Sequence, residues 1–248
     1  MTDTYAEVDL QALLNHTAKR ICENILGEVL RPDVNGSNYK MIHKWGCDGS
    51  SGHSLYKQPF ENSNNTDEYM FVLSLVPLRL VRDNDDANNS IIWESPRPSS
   101  PRFCRIIKFI FKKETESLIK QECEAVKKQI RDLMPTCAQI DGVAISVNHE
   151  LILSMIDGKA CNVLSENKST QTCFICKATS KEMNSTVSAR EPNQNMYQFG
   201  ISSLHAYIRT MECLLNIAYR MNIGQWQGGD KNKEIFKKQK EEIKGKFK

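Results

Sequence analysis

Two aspartates have the sequence context of acids placed at the ends of buried strands. Asp48 follows the apolar run 41–47 within GCDGSSG, and Asp157 follows the run 150–156 within MIDGK. A carboxylate at the end of a strand projects from the sheet edge rather than lying on a solvated face. Two such strands side by side would bring both carboxylates to one hard cation such as Mg²⁺, which prefers oxygen ligands. The alternative is that Asp-Gly is only a turn dipeptide at both places.

A pair of cysteines has the spacing of a zinc knuckle. Cys173 and Cys176 form a C-x-x-C motif, whose two thiolates can share one tetrahedral zinc ion. A structural zinc site needs four ligands, so this pair supplies half a site. His149, His205 or Cys161 could complete it only if the fold brought one of them near. The alternative is a pair of cysteines that binds no metal.

Basic residues cluster in the proline-rich segment SPRPSSPR and in the apolar run that follows it. Such side chains could hold phosphate groups and would make that binding depend on salt. The alternative is a charged strand edge that discourages pairing with other chains. The lysine-rich segment 231–248, with eight lysines and three glutamates, is expected to be a solvated helix or a second DNA contact. The basic cluster consists of Arg97, Arg102, Arg105, Lys108, Lys112 and Lys113.

The composition is that of a soluble globular protein. The chain has 248 residues, 40% of them hydrophobic and 25% charged, and a net charge of +3. Nine cysteines are an odd number and too few for a disulfide framework, so we expect reduced thiols. The sequence shows neither a secretory leader nor an apolar run of the ~18 residues that a membrane span requires. We therefore expect a nuclear or cytoplasmic protein without a membrane partner.

The hydrophobic pattern predicts the elements that must position these residues. Apolar periodicity predicts helices over 8–30, 115–134 and 201–222, the second with a Thr115 cap and a stop at Pro135. Their order with the strands predicts an α/β domain with a mixed sheet. Strands are predicted at 41–47, 69–81, 104–113, 142–147 and 150–156.

Five blocks of the sequence resemble, in the same order, segments of one recombinase family. The family is the Transib-type DDE transposases, which include the V(D)J recombination-activating recombinase. The resemblance covers roughly residues 1–230, and the two aspartates have a separation similar to the family's. The blocks are KWGCDGSSGHSLYKQ, SPRPSSPRFCR, LILSMIDGKACNVL, CFICKATS and SLHAYIRTMECLLNIAYR.

The resemblance implies an RNase H-like mixed sheet flanked by helices and incomplete at the C-terminus. It implies a helical segment before the catalytic core at 1–39, the core at 40–165, and the start of a zinc-binding helical insertion at 166–248. Asp48 and Asp157 match the first two of three acids that bind two Mg²⁺ or Mn²⁺ ions. The implied reaction is cleavage and strand transfer of DNA, with Asp48 bridging both ions and Asp157 completing one shell.

The sequence departs from the family at the third acid. The family's third acid is a glutamate far downstream, beyond an inserted helical region, where a histidine pair also completes the zinc site. Neither Glu182 nor Glu212 matches that motif. The alternative function is therefore a catalytically inert remnant that binds DNA or a protein partner, in the nucleus or, as a relic, in the cytoplasm. If the family's downstream region normally completes the fold with a helix, we expect an exposed apolar patch, poor solubility, or an oligomer, such as a homodimer, that covers the patch.

Overall fold

The structure is a computed structural model of the chain. It describes residues 4–29, 37–51, 60, 66–83, 90–169, 171–179, 181–182, 190–200, 203–219 and 230–245. These residues form two compact units, one spanning residues 1–200 and the other spanning residues 201–248. Most of the loop between the predicted strands 41–47 and 69–81 lies outside the described residues.

The first unit is built on one seven-stranded mixed sheet. Its strands are β1 (Tyr5–Glu7), β2 (Ser37–Ser51), β3 (Tyr69–Arg82), β4 (Ile91–Glu94), β5 (Arg105–Ile110), β6 (Thr136–Ile140) and β7 (Val143–Leu153). The order is β1-β5-β3-β2-β7-β6, with β4 paired to β3. Only β2 and β7 pair in parallel; the other pairs among these strands are antiparallel. The predicted α/β class with a mixed sheet is confirmed.

The described part of the first unit contains the α-helices α1 (Leu10–Val29), α2 (Glu116–Arg131) and α3 (Gly158–Leu164), and two short 3-10 helices at Pro101–Phe103 and Gln194–Phe199. The helices predicted over 8–30 and 115–134 are confirmed as α1 and α2. The Thr115 side chain caps α2 by accepting a hydrogen bond from the backbone N–H of Leu118 at 3.2 Å. This cap fixes where the chain leaves the sheet and enters the helix.

The helices cover one face of the sheet. Successive side chains of a strand point to opposite faces. The odd-numbered residues of β2 from Tyr39 to Cys47 are buried. Trp45 and Cys47 lie in a core that also contains Leu14 of α1 and Ile119 of α2. The even-numbered residues, which include Asp48, lie on the opposite face, where Asp48 is exposed.

Strand β2 is longer than the sequence pattern predicts. The prediction ended it at Cys47, but pairing with β3 continues through Gly49 and Ser50 to Ser51. Asp48 therefore lies within the strand rather than beyond its end. Although the sequence GSSG is typical of a turn, Gly49 to Ser51 are extended because β3 continues alongside them and pairs with them.

The two strands predicted at 142–147 and 150–156 are one strand, β7, and the sequence pattern missed β1, β4, β6 and α3. The polar residues Asn148 and Glu150 suggested a break, but both are exposed on one face while His149 points to the other. Strand β6 escaped prediction because its five residues, TCAQI, carry little apolar signal.

The second unit contains two helices, α4 (Ser203–Ala218) and α5 (Asp230–Gly245). They confirm the helix predicted over 201–222 and the helical character of the lysine-rich segment. Within this unit the Gln239 side chain donates a hydrogen bond to the carbonyl oxygen of Ala218 at 3.0 Å. In the described part of the chain, none of the helices combines the length and hydrophobicity of a membrane span.

Candidate functional site

The two predicted acids lie at the same end of neighbouring parallel strands. Strands β2 and β7 run in the same direction, and Trp45 pairs with Leu153 at the end of their ladder. Asp48 comes shortly after Trp45 along β2, and Asp157 comes shortly after Leu153. The fold thus brings two acids that are distant in sequence to one end of the sheet.

A close backbone crossing holds the chain after β7 against β2. The backbone N–H groups of Ser154 and Met155 both donate to the carbonyl oxygen of Trp45, at 3.1 and 3.0 Å. A Cβ atom at Gly46 would lie 1.9 Å from the carbonyl oxygen of Met155. Only glycine fits at this position, and the crossing sets the path that leads to Asp157.

The Asp157 side chain caps a helix and is also a candidate metal ligand. Its Oδ1 atom accepts a hydrogen bond from the backbone N–H of Ala160 at 2.7 Å, which caps α3. The bond holds the carboxylate in one orientation at the start of the helix. Its Oδ2 atom takes no part in this bond.

Sequence reasoning missed a third acid at this end of the sheet. Glu114 precedes the cap of α2, and its carboxylate forms an ion pair with Lys159 of α3 at 3.0 Å. A Cβ atom at Gly49, the residue after Asp48, would lie 2.3 Å from Glu114 Oε2. No sequence motif links Glu114 to either aspartate, so only the fold reveals the proximity.

The pKa of the Cys47 thiol reflects the negative charges of two nearby carboxylates. Its pKa is raised, first by its hydrogen bond with Cys123, then by burial and by the charges of Cys123, Glu114 and Asp157. Both carboxylates therefore act on the residue that precedes Asp48. Their oxygen atoms, with those of Asp48, are the donors that Mg²⁺ and Mn²⁺ prefer. Within the described ranges, however, no three His, Cys, Asp or Glu side chains are grouped closely enough to hold one ion.

The proline-rich segment with the predicted DNA-binding arginines lies towards the other end of the sheet. It leaves β4, where Glu94 pairs with Arg79, and enters β5 at Arg105. Arg97 and Arg102 are exposed. Arg105 instead donates from Nη1 to the carbonyl oxygens of Arg102 and Cys104, at 3.0 and 3.2 Å, and so braces the segment itself.

Lys108 points into the protein. Its ammonium lies 2.9 Å from Glu122 and 3.4 Å from Glu7. Burial alone would lower its pKa, but the hydrogen bond and charge of Glu122, helped by Glu7, raise it. The charge of Lys108 is thus already neutralised by α2 and β1.

Two other lysines of the basic cluster lie at the end of the sheet that carries Asp48. Ile110 ends β5 opposite Phe71, which in turn pairs with Gly49. Lys112 and Lys113 follow directly and are exposed. Cations at this edge are better placed than the arginine segment to meet phosphates near Asp48.

The paired cysteines form a tight hairpin of the knuckle kind. Thr172 and Thr179 are bridged at its base, and the backbone N–H of Lys177 donates to the carbonyl oxygen of Cys173 at 2.9 Å. Burial alone would raise the pKa of the Cys173 thiol. The backbone N–H groups of Cys176 and Ile175, the Cys176 side chain and the charge of Lys177 together lower it. A thiol disposed to ionise is a suitable zinc ligand.

Two of the three further zinc ligands named from the sequence make other contacts among the described residues. His149 bonds to His43 and Thr136, and Cys161 is buried in the core of the first unit. The side chain of His205 lies outside the described residues. Glu182 supports the hairpin, since its carboxylate accepts hydrogen bonds from Thr179 and pairs with Arg190.

Comparison of the sequence with models of known protein families and with curated proteins finds no match.

Proposed function

We propose that this chain is the catalytic-core region of a metal-dependent DNA recombinase or transposase, built on an RNase H-like sheet. The parallel pairing of β2 with β7 is the observation that carries the proposal. One acid stands on β2, which leads into the antiparallel β3 and β5. The other follows β7, which returns beside β2 after α2. This arrangement fits the sheet that the resemblance to Transib-type transposases implies.

The proposed reaction is cleavage and transfer of a phosphodiester bond in DNA. Mg²⁺ or Mn²⁺ at such a site supplies activation of the attacking water or 3′-hydroxyl and stabilises the leaving oxygen. Asp48 and Asp157 would hold the cation with carboxylate oxygens. The cap on α3 orients Asp157, and the crossing at Gly46 sets its distance from β2.

DNA contacts in this proposal come from exposed cations. Arg97 and Arg102 are exposed on the proline-rich segment, and Lys112 and Lys113 are exposed beside the edge that carries Asp48. Each phosphate contact releases condensed counterions, so DNA affinity should fall steeply as salt rises. Action on DNA would place the protein in the nucleus.

Zinc belongs to the proposal as a structural ion of the Cys173–Cys176 hairpin. The lowered pKa of the Cys173 thiol and the tight turn that holds the two cysteines together are consistent with Cys173 and Cys176 as two of the four zinc ligands. By resemblance, the other two would be histidines of the downstream region.

Calorimetric titration with Mn²⁺ tests the metal site directly. We expect the wild-type chain to bind Mn²⁺, and Asp48→Asn and Asp157→Asn each to reduce the affinity at least tenfold. Asp141→Asn is the matched control. It removes the same charge from an exposed turn between β6 and β7, where the backbone has φ +50, a conformation that asparagine accepts well.

The Mn²⁺ titration, together with a DNA-binding assay, distinguishes the catalytic proposal from the catalytically inert alternative. A wild-type chain without measurable Mn²⁺ binding, or aspartate variants that bind as well as Asp141→Asn, would contradict the catalytic proposal. Salt-dependent DNA binding that persisted in that case would favour a DNA-binding remnant. If the chain bound neither Mn²⁺ nor DNA, the remaining alternative would be a remnant that binds a protein partner.

A further inference from the structure

Two buried cysteine thiols meet between the sheet and a helix. Cys47 lies on β2 and Cys123 on α2, and their Sγ atoms are 3.7 Å apart. Cys47 is 4% exposed and Cys123 is 1% exposed. Both are free thiols, and the proposed function uses neither of them. The two sulfur atoms are within hydrogen-bond distance and roughly 1.7 Å farther apart than in a disulfide bond.

The fold holds both cysteines in this position. Cys47 is one of the odd-numbered residues of β2 that face the helices, and it pairs with Leu73 of β3. Cys123 lies on the buried stripe of α2, one turn after Ile119 and one turn before Val126. Both thiols belong to the same hydrophobic cluster. Close packing therefore keeps the two thiols side by side.

The two thiols differ in their tendency to ionise. The hydrogen bond with Cys47 lowers the pKa of Cys123, and burial opposes this shift. The positive charge of Lys127 lowers the pKa further, against the charge of the nearby Glu122. The same hydrogen bond, together with burial, raises the pKa of Cys47. Cys123 is therefore the thiol that ionises first, and the thiolate is the nucleophilic form.

We propose that Cys47 and Cys123 form an oxidation site, at which hydrogen peroxide converts the two thiols into a disulfide between β2 and α2. The inference is independent of the proposed function. Hydrogen peroxide is small and uncharged, so brief local openings of the fold admit it more readily than they admit a bulky thiol reagent. Once one sulfur is oxidised, the other is already beside it.

The reaction proceeds in two steps. The Cys123 thiolate attacks one oxygen of hydrogen peroxide, so an S–O bond forms, the O–O bond breaks, and the departing hydroxide takes up the proton that Cys123 released. Cys47 then attacks the sulfur of the Cys123 sulfenic acid. The S–S bond forms, the S–O bond breaks, and the second hydroxide leaves with the Cys47 proton as water. Two thiols are oxidised to one disulfide, and one peroxide is reduced to two water molecules.

The disulfide would stabilise the folded chain. It joins residues that are 76 positions apart in sequence, so it restricts the unfolded chain over a long loop. We expect the oxidised protein to melt about 5 °C above the reduced protein. A dithiol reductant should reverse the difference.

Peptide mapping of the full chain tests the proposal. The reduced, folded protein is treated with hydrogen peroxide, its remaining thiols are blocked in denaturant, and it is digested without reductant. We expect a linked pair of peptides that contain Cys47 and Cys123, lighter than the two separate peptides by two hydrogen atoms. The pair should disappear when the digest is reduced. Thermal melts of the oxidised and reduced chains measure the stabilisation.

Alanine variants assign the stabilisation to this pair. Cys47→Ala and Cys123→Ala should each abolish the linked peptides and the reductant-sensitive rise in melting temperature. Cys161→Ala is the matched control, because it removes another buried thiol of the same cluster, from α3. It should respond to peroxide as the wild type does. Cys173 and Cys176 are present in all these chains, so their own oxidation cannot account for a difference among them.

Linked Cys47 and Cys123 peptides in the wild type and in Cys161→Ala support the proposal. Two results would overturn it. One is a chain whose exposed Cys137 and Cys213 are oxidised while Cys47 and Cys123 stay reduced. The other is a disulfide that joins Cys47 or Cys123 to a different cysteine. The map of the wild-type chain decides between these results even if an alanine variant fails to fold.

Discussion

At the scale of single residues, a buried polar chain ties β2, β7 and β6 to α1. Nε2 of His43 lies 3.2 Å from Nδ1 of His149, whose Nε2 lies 2.8 Å from the Thr136 hydroxyl. That hydroxyl donates to Oδ1 of Asn15 at 2.6 Å. Burial lowers the pKa of His43 to about 3, with a contribution from His149, and burial lowers the pKa of His149 to about 4. Both rings are therefore neutral in the folded protein at neutral pH.

These histidines predict that the protein loses stability as pH falls from 7 to 5. Unfolded histidine has a pKa of about 6.5, so below that pH the unfolded chain binds protons that the folded chain rejects. Each ring should lower the free energy of unfolding by about 1 kcal/mol per pH unit below 6. Urea denaturation at pH 7, 6 and 5 measures the slope.

Variants at two histidines, compared with the wild type, locate the origin of this slope. His149→Gln should flatten it, because one of the two buried rings no longer titrates in the unfolded chain. His16→Gln replaces an exposed histidine of α1 and should leave the slope as it is in the wild type. Equal slopes in all three proteins would refute the assignment to the buried pair.

At the scale of elements, the close contact between β2 and the chain that follows β7 depends on Gly46. A Cβ there would meet the backbone of Met155, which cannot move without breaking its bond to Trp45. We expect Gly46→Ala to lower the free energy of unfolding by ~2 kcal/mol or more, as overpacking does. Gly158→Ala is the matched control, since a Cβ at Gly158 meets nothing within 4 Å. Thermal melts that ranked the two variants equally would contradict this account.

The cysteine hairpin is the second element whose role can be measured. We expect the purified chain to bind Zn²⁺ weakly through Cys173 and Cys176, because two thiols are half of a tetrahedral site. Cys173→Ser should lower the zinc retained after dialysis at least tenfold. Cys137→Ser removes an exposed thiol elsewhere and should have no effect. Zinc retained equally by both variants would show that the hairpin is not the site.

Elements with strong local signals were predictable from sequence, and features created by tertiary contact were not. Thr115 caps the start of α2 as predicted because capping is a local effect, whereas the helix ends at Arg131, before the predicted stop at Pro135. The continuation of β2 past Asp48 depends on pairing with β3, which no local pattern encodes. Glu114 joined the candidate site only through contacts with Gly49 and Lys159, far from it in sequence.

At the scale of the whole molecule, the two faces of the sheet in the first unit differ in the exposure of their described apolar side chains. The helix-covered face buries most of the large apolar side chains of the first unit. On the opposite face, Ile106 of β5 is 50% exposed and Ile152 of β7 is 40% exposed. These two residues lie on strands that are not neighbours, and the apolar patch expected from the sequence stays a prediction. An exposed apolar sheet face favours association, because burial of apolar surface is the main driving force for it.

We therefore expect the wild-type chain to self-associate through this face. Ile106→Lys combined with Ile152→Lys should shift the mass measured by light scattering towards the monomer, because two charges would have to be desolvated in the interface. Met134→Lys is the control, because Met134 is 68% exposed but lies at the turn between α2 and β6, away from the sheet face that exposes Ile106 and Ile152. It should leave the mass unchanged. A wild-type chain that stays monomeric at high micromolar concentration would show that the two isoleucines tolerate solvent without a partner, and the homodimer would then have no physical basis.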